Sequence, residues 1–576
     1  MSPFVRRASI RHTDRVLARS VMLLLFAVYF AATPGRLVSG RAEAEYTAAR
    51  VTLASITGQE LPLSEAQADG ALVERQTSLG ARVLAIPFLL VGDLASWAAD
   101  GVEARHAATV TDGRKLLPQL MFGLAGAFFT ALTGWTIVLA ARRLGAARAP
   151  AFLAALAYGL GSHAWAGGRG GLAITLATFS LMSAFHLLLR VREDLDRLRI
   201  PPPSHLLWIG ACLAIALVTE AMLLPAVVYV TCVSHAIFRR GWQRLDDSSW
   251  TPKDSNSTRL SVALAFMWIP VFAALGWIAW LGIDSEQPKL FGLIAIPIRE
   301  FGDWTSRALS LLVSPGDGLF WFAPWAVFAS WARAGKRGRR ERLGTWTTVV
   351  LFVSCFVLAV GIETPHSYDS YGPRALLPVL PFFALGFALA INSSDARLRR
   401  GLGMLAVLLG VLVQVPGALI RPETHLDLAA QSIALAQAVE LGTGTTDATN
   451  SGLSSAKSAT SLSGANSSGG DSAGDEAWRS AELWSWCFAA PWAHWRIIRN
   501  RVAVGGETVL AAELYFVEHP ARIRPAGVGP WGFRHMAWVD LDRRLSVSPW
   551  WGSLMAGFFL IVGVVFAVLG LDSTAA

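Results

Sequence analysis

Charge is scarce in this chain. Asp, Glu, Lys and Arg make up 16% of its 576 residues against 53% hydrophobic, well below the quarter or so that soluble domains carry. Cysteine is scarcer still. Of four, Cys212, Cys232 and Cys355 fall inside apolar runs and Cys487 has no obvious partner, so there is neither a disulfide framework nor a zinc spacing. No internal repeat of the kind many transporters carry is visible. Residues 441–478 lack large apolar side chains almost entirely, being Gly, Ser, Ala and Thr; such a segment cannot bury enough surface to offset its ordering and is predicted to be a disordered tether.

What the chain has is apolar runs close to the roughly 20 residues that cross a bilayer. A polypeptide in lipid must satisfy its backbone internally, so the runs predict an all-α polytopic membrane protein. Spans are expected near 17–33, 116–140, 150–165, 171–190, 205–219, 221–238, 260–282, 319–333, 344–361, 375–392, 401–419 and 548–571, about twelve by apolar length. The basic MSPFVRRASIRHTDRVLARS followed by VMLLLFAVYFAA has the shape of a signal peptide, but the chain goes on inserting, and it reads as an uncleaved first span.

The formal net charge is +9, which raises the question of nucleic acid. The arginines instead cluster in short segments between apolar runs, as in ARRLGAAR, RVREDLDRLRI, FRRGWQR, AGKRGRRERLG and SSDARLRRG, the pattern of cytoplasmic loops. Alternation then puts both termini in the cytoplasm, and residues 34–115, 283–318, 362–374 and 420–547 on the far side of an inner (plasma) membrane. Three regions follow: a transmembrane domain over 1–420, an extracytoplasmic segment over 421–547 containing the tether, and a last span with a short cytoplasmic tail over 548–576. Within the first outer loop, TSLGARVLAIPFLLVGDLASWAAD has a short, Pro-containing apolar run and predicts a helix lying along the interface.

Three ordered stretches carry a resemblance. VSPGDGLFWFAPW (313–325), SYDSYGPRALLPVLPFFAL (367–385) and, more faintly, AYGLGSHAWAGGRGGLAITLATFSLMSAFHLLLR (157–190) resemble membrane glycosyltransferases of the GT-C superfamily that use a phospholipid-linked sugar donor, among them the aminoarabinose transferase and protein mannosyltransferase families. The likeness covers roughly residues 17–420. It implies a GT-C-like bundle, a polyprenyl-phosphate-linked sugar as donor, and an envelope glycan, lipid or protein as acceptor. In that superfamily the first outer loop carries an acidic motif, commonly Asp-Glu with a tyrosine three residues after the glutamate. Glu43 and Tyr46 match the glutamate and tyrosine, Ala42 stands where the aspartate would be, and Glu45 offers a second carboxylate.

Transfer from such a donor needs a base for the acceptor and cations for the departing phosphate. Glu43 and Glu45 are the candidate catalytic acids. Arg374, at a span's edge, is the candidate phosphate donor group, with Tyr46, Tyr371, Arg41 and Arg169 as further binding residues. Each has a plainer reading: the two glutamates as a solvated helix face between Arg41 and Arg50, Arg374 as an interfacial anchor, and His163, His186 and His235 as packing or hydrogen-bonding residues. No complete metal cage is present and no cofactor is required, although carboxylates alone leave divalent-ion assistance open. Ala42 keeps a second function in view, a catalytically inactive relative that binds carrier lipid or scaffolds envelope assembly. A transporter is motivated only by the number of spans, since the charges sit at span ends and not at the midplane.

Overall fold

The computed structural model describes residues 3–33, 40–58, 79–103, 113–168, 171–247, 256–284, 301–315, 318–331, 339–361, 373–392, 397–419, 495, 557–558 and 560–565. Among them there is no strand. The helices, in chain order, are α1 (Pro3–Ala32), α2 (Gly40–Thr57), α3 (Leu79–Glu103), α4 (Gly113–Arg143), α5 (Arg148–Gly159), α6 (Ala164–Gly167), α7 (Leu172–Asp196), α8 (Pro203–Thr219), α9 (Leu224–Asp247), α10 (Asn256–Asp284), α11 (Phe301–Val313), α12 (Leu319–Phe322), α13 (Phe328–Trp331), α14 (Arg339–Gly361), α15 (Leu380–Ile391) and α16 (Arg397–Leu419). Three 3-10 turns, Ala221–Leu223, Pro324–Val327 and Arg374–Val379, join or extend them.

Nine helical segments among the described residues are long and apolar enough to cross a membrane, which makes the chain an all-α, multi-pass membrane protein. Eight of the twelve expected spans fall on them. The ninth is Gly80–Trp97 within α3, where the sequence predicts an interfacial helix. Its buried face, Ala85 and Leu89, packs with Ala49, Leu53, Phe122, Ala125, Leu172 and Leu176 in a small core of its own, while Val91, Leu94 and Trp97 stay exposed. The expected last span, 548–571, lies mostly outside the described residues. Along α10 and α16, large apolar side chains such as Phe266, Ile269, Phe272, Leu405, Leu408 and Leu412 face outward, as lipid contact requires.

Two expected spans exist as broken helices. Over 148–167, α5 rises only about 18 Å before the chain turns at Leu160–His163 and resumes in α6. Over 319–331, α12 stops at Phe322, Pro324 opens a 3-10 turn, and α13 follows. A broken helix at membrane depth is tolerated only if the freed carbonyls find partners inside the protein, and here they do. The Tyr29 hydroxyl donates to Gly159 O at 2.7 Å, the Trp325 indole donates to Gly161 O at 2.8 Å, and Gln414 Nε2 donates to Phe322 O at 3.0 Å. One broken span thus supplies a donor to the other. Gly410 lets α16 come close enough to take part: a Cβ there would stand 2.3 Å from Gly161 O.

The bundle has two rims. At one end of α7, Glu193 pairs with Arg143 and Arg197. Close by, Asp14 accepts from Arg142 at 3.0 Å and Arg148 at 3.3 Å, and Asn392 bonds the Gly145–Ala147 turn. Leu172, at the other end of α7, is about 30 Å of helix away, which matches the hydrocarbon thickness of a bilayer.

Candidate functional site

The far rim is built around α2. Its Ala-rich sequence suits a helix, and the positions that turn inward, Ala42, Glu45, Ala48, Ala49 and Leu53, are all buried and follow helical spacing. Glu45 therefore occupies an otherwise apolar stripe and is 3% exposed. Tyr46, half-buried, rests edge-on against Phe122 with centroids 5.7 Å apart. Arg50 ties the middle of α2 to α3 through Asp93 at 2.7 Å.

Glu45 is held at a helix start. One carboxylate oxygen, Oε2, accepts from the backbone N–H of Leu172 at 2.8 Å and of Ala173 at 3.3 Å, the first residues of α7, where unpaired amides and the helix dipole favour an anion. The other, Oε1, accepts from Arg374 Nη2 at 3.3 Å. Arg374 begins the 3-10 turn Arg374–Val379, and its side chain is 14% exposed. The two residues are 329 positions apart in the chain. Gly171 makes their meeting possible: a Cβ there would lie 2.9 Å from Arg374 Nη2 and 3.1 Å from each Glu45 oxygen.

Of the residues singled out in the sequence, Glu45 and Arg374 meet, and Tyr46 packs one position away. Glu43 and Arg41 sit on α2, but their side chains lie outside the described residues, as do Arg169, Tyr371, Asp317 and Asp369. Ala42, at the position of the expected aspartate, faces inward and is 1% exposed. Among the described residues no group of three or more His, Cys, Asp or Glu could hold a metal ion.

Two participants were not singled out from sequence. The amides of Leu172 and Ala173 could have been suspected from the Gly170–Gly171 pair opening an apolar run. His163 carries only the packing or hydrogen-bonding reading in the sequence. It lies between α5 and α6, inside the expected span 150–165, and it is buried beside the Pro373 carbonyl, one residue before Arg374. His235, by contrast, accepts from the Trp268 indole at 3.3 Å.

An anion held by two amides and a guanidinium fixes that cation in place beside the start of α7. No family model, curated protein or solved structure matches the chain.

Proposed function

We propose that this protein is a membrane glycosyltransferase that moves a sugar from a polyprenyl-phosphate donor to an envelope glycan, lipid or protein on the extracytoplasmic face of the inner (plasma) membrane. The observation that supports this most is the ion pair between Glu45 and Arg374 at one rim of the bundle, since Arg374 lies in a stretch that carries the resemblance and Glu45 is the second carboxylate beside the matched Glu43. The acceptor oxygen attacks the anomeric carbon, the bond from that carbon to the phosphate oxygen breaks, and the electron pair leaves with the phosphate. Arg374 receives that phosphate. Glu45, whose oxygens already accept from α7 and Arg374, positions the guanidinium, and the acceptor's proton goes to Glu43.

The orientation follows from charge. The rim carrying Arg142, Arg143, Arg148 and Arg197 suits the cytoplasmic side, which leaves Glu45 facing outward, with both termini inside. The interfacial role of α3, the GT-C-like arrangement of spans and the extracytoplasmic segment 421–547 belong to this reading.

Purified full-length protein in nanodiscs, supplied with a radiolabelled polyprenyl-phosphate sugar and envelope extract, tests it. Transfer is expected, with a loss of at least a hundredfold in the Glu43→Gln, Glu45→Gln double variant, within the range that general-base removal costs. Unchanged transfer in that variant would remove both carboxylates from the mechanism. A second reading, an inactive relative that binds carrier lipid or scaffolds envelope enzymes, is favoured by the core-facing Ala42. It shares the dependence of donor binding on Arg374 and differs in showing no turnover.

A further inference from the structure

Pro416 stands inside α16. A proline brings no N–H, so the carbonyl four residues before it, Leu412 O, receives no bond from the ladder of its own helix. Lipid offers no donor in its place, and a bare carbonyl facing hydrocarbon is costly. Leu412 is on that side. It is 53% exposed and continues the outward row of Leu405 and Leu408. Two residues on, Gln414 is fully buried and donates to Phe322 O, so the inward side of the same turn is bonded to the broken span.

The outward carbonyl draws its donor from far along the chain. Trp495 Nε1 donates to Leu412 O at 3.0 Å, across a separation of 83 residues. Leu412 lies about 22 Å of helix from Arg397, toward the opposite edge of the hydrocarbon layer. At that level an indole can keep its ring in lipid and turn its N–H to a polar partner. Trp495 closes the stretch AELWSWCFAAPWAHW, which follows the Gly- and Ser-rich tether and also carries Trp484, Trp486 and Trp492.

We propose that the carbonyl freed by Pro416 is a docking point for this tryptophan-rich stretch, and that Trp495 pins the stretch to the outward face of α16 at the membrane edge. The partner that this surface fits is thus a segment of the same chain, recognised by an indole that supplies one N–H and an apolar ring. The turn before Pro416 then carries a bond on each side, through Gln414 to the broken span and through Leu412 O to Trp495. The docking stands apart from the glycosyltransferase reading; only the side of the membrane on which it falls rests on the orientation given with that reading.

Limited trypsin digestion of the full-length protein in nanodiscs tests it. Arg496 follows Trp495 and Lys457 lies in the tether, so the ratio of cleavage rates after Arg496 and after Lys457, measured by mass spectrometry, carries its own control. Arg496 is expected to be cut the more slowly. Trp495→Phe keeps an aromatic ring and loses the N–H, and Pro416→Ala gives Leu412 O a helix amide. Each should raise the ratio about fivefold to tenfold, the effect of one hydrogen bond of about 1–1.4 kcal/mol. The double variant should match the larger single effect, since both changes break the same contact. Pro270→Ala, at a helix proline in α10, should leave the ratio where it is. A ratio that stays put in either Trp495→Phe or Pro416→Ala, a double variant that multiplies the two effects, or an equal rise in Pro270→Ala would each overturn the proposal.

Discussion

The two rims of the bundle use ion pairs in different ways. At the arginine rim, Asp14 and Arg142 keep side-chain exposures of 17% and 22%, and one acid serves two arginines that staple the ends of α1, α4 and α5. At the other rim, Glu45 is almost wholly buried, and it is bonded to the backbone of α7 as well as to Arg374. Exposed pairs contribute little because water screens them and their side chains lose entropy on ordering. A buried acid without its partners is costly. The first rim is a set of interchangeable fasteners; the second depends on one geometry.

Removing Glu45 should therefore have the largest effect. Glu45→Ala leaves Arg374 without that acid and leaves the Leu172 and Ala173 amides unbonded, and it is expected to destabilise the purified protein by about 3–5 kcal/mol, read as a fall in melting temperature in detergent. A double-mutant cycle of Glu45→Gln with Arg374→Gln should give a coupling of about 2 kcal/mol. A coupling near zero would place this pair with the part-buried fasteners of the arginine rim and erase the contrast between the rims.

How much of this was legible in the sequence differs by feature. Most spans were, because run length maps directly onto bilayer thickness. The inward turn of Glu45 was legible too, given the spacing of Ala42, Glu45, Ala49 and Leu53; weighing the acids together with Arg41 and Arg50 as one solvated face hid it. The breaks in 148–167 and 319–331 were not legible. Apolar length does not register an interruption, and the donors that make the interruptions tolerable, Tyr29, Trp325 and Gln414, are 130, 164 and 92 residues from the carbonyls they serve. For the same reason Arg374 could be chosen as a candidate, but its acid partner, 329 residues away, could not be assigned without the fold.

Next in size should be changes that leave the charges and disturb their fit. Gly171→Ala puts a Cβ within about van der Waals overlap of Arg374 Nη2 and both Glu45 oxygens, at an expected cost of about 1–3 kcal/mol for overpacking, with a matching loss of donor-lipid binding. Trp325→Phe keeps the ring but leaves Gly161 O without its indole donor, and should cost a similar amount, about 1–3 kcal/mol, with donor binding unchanged. If Trp325→Phe lowered donor binding as much as Gly171→Ala does, the site would extend to the broken spans and the rim alone would not define it.

The smallest effect is expected at the arginine rim, where it gives the sharpest control. Asp14→Asn removes the charge that Arg142 and Arg148 share, and should lower stability by only about 0.5 kcal/mol. Raising ionic strength should reduce even that difference, because the pair is within reach of solvent ions. The same salt series applied to Glu45→Gln should leave its deficit nearly unchanged, since the buried pair is poorly screened. If both deficits faded together with salt, Glu45 would be solvated in the working protein, and its two helix amides and one guanidinium would hold no particular geometry for a phosphate to meet.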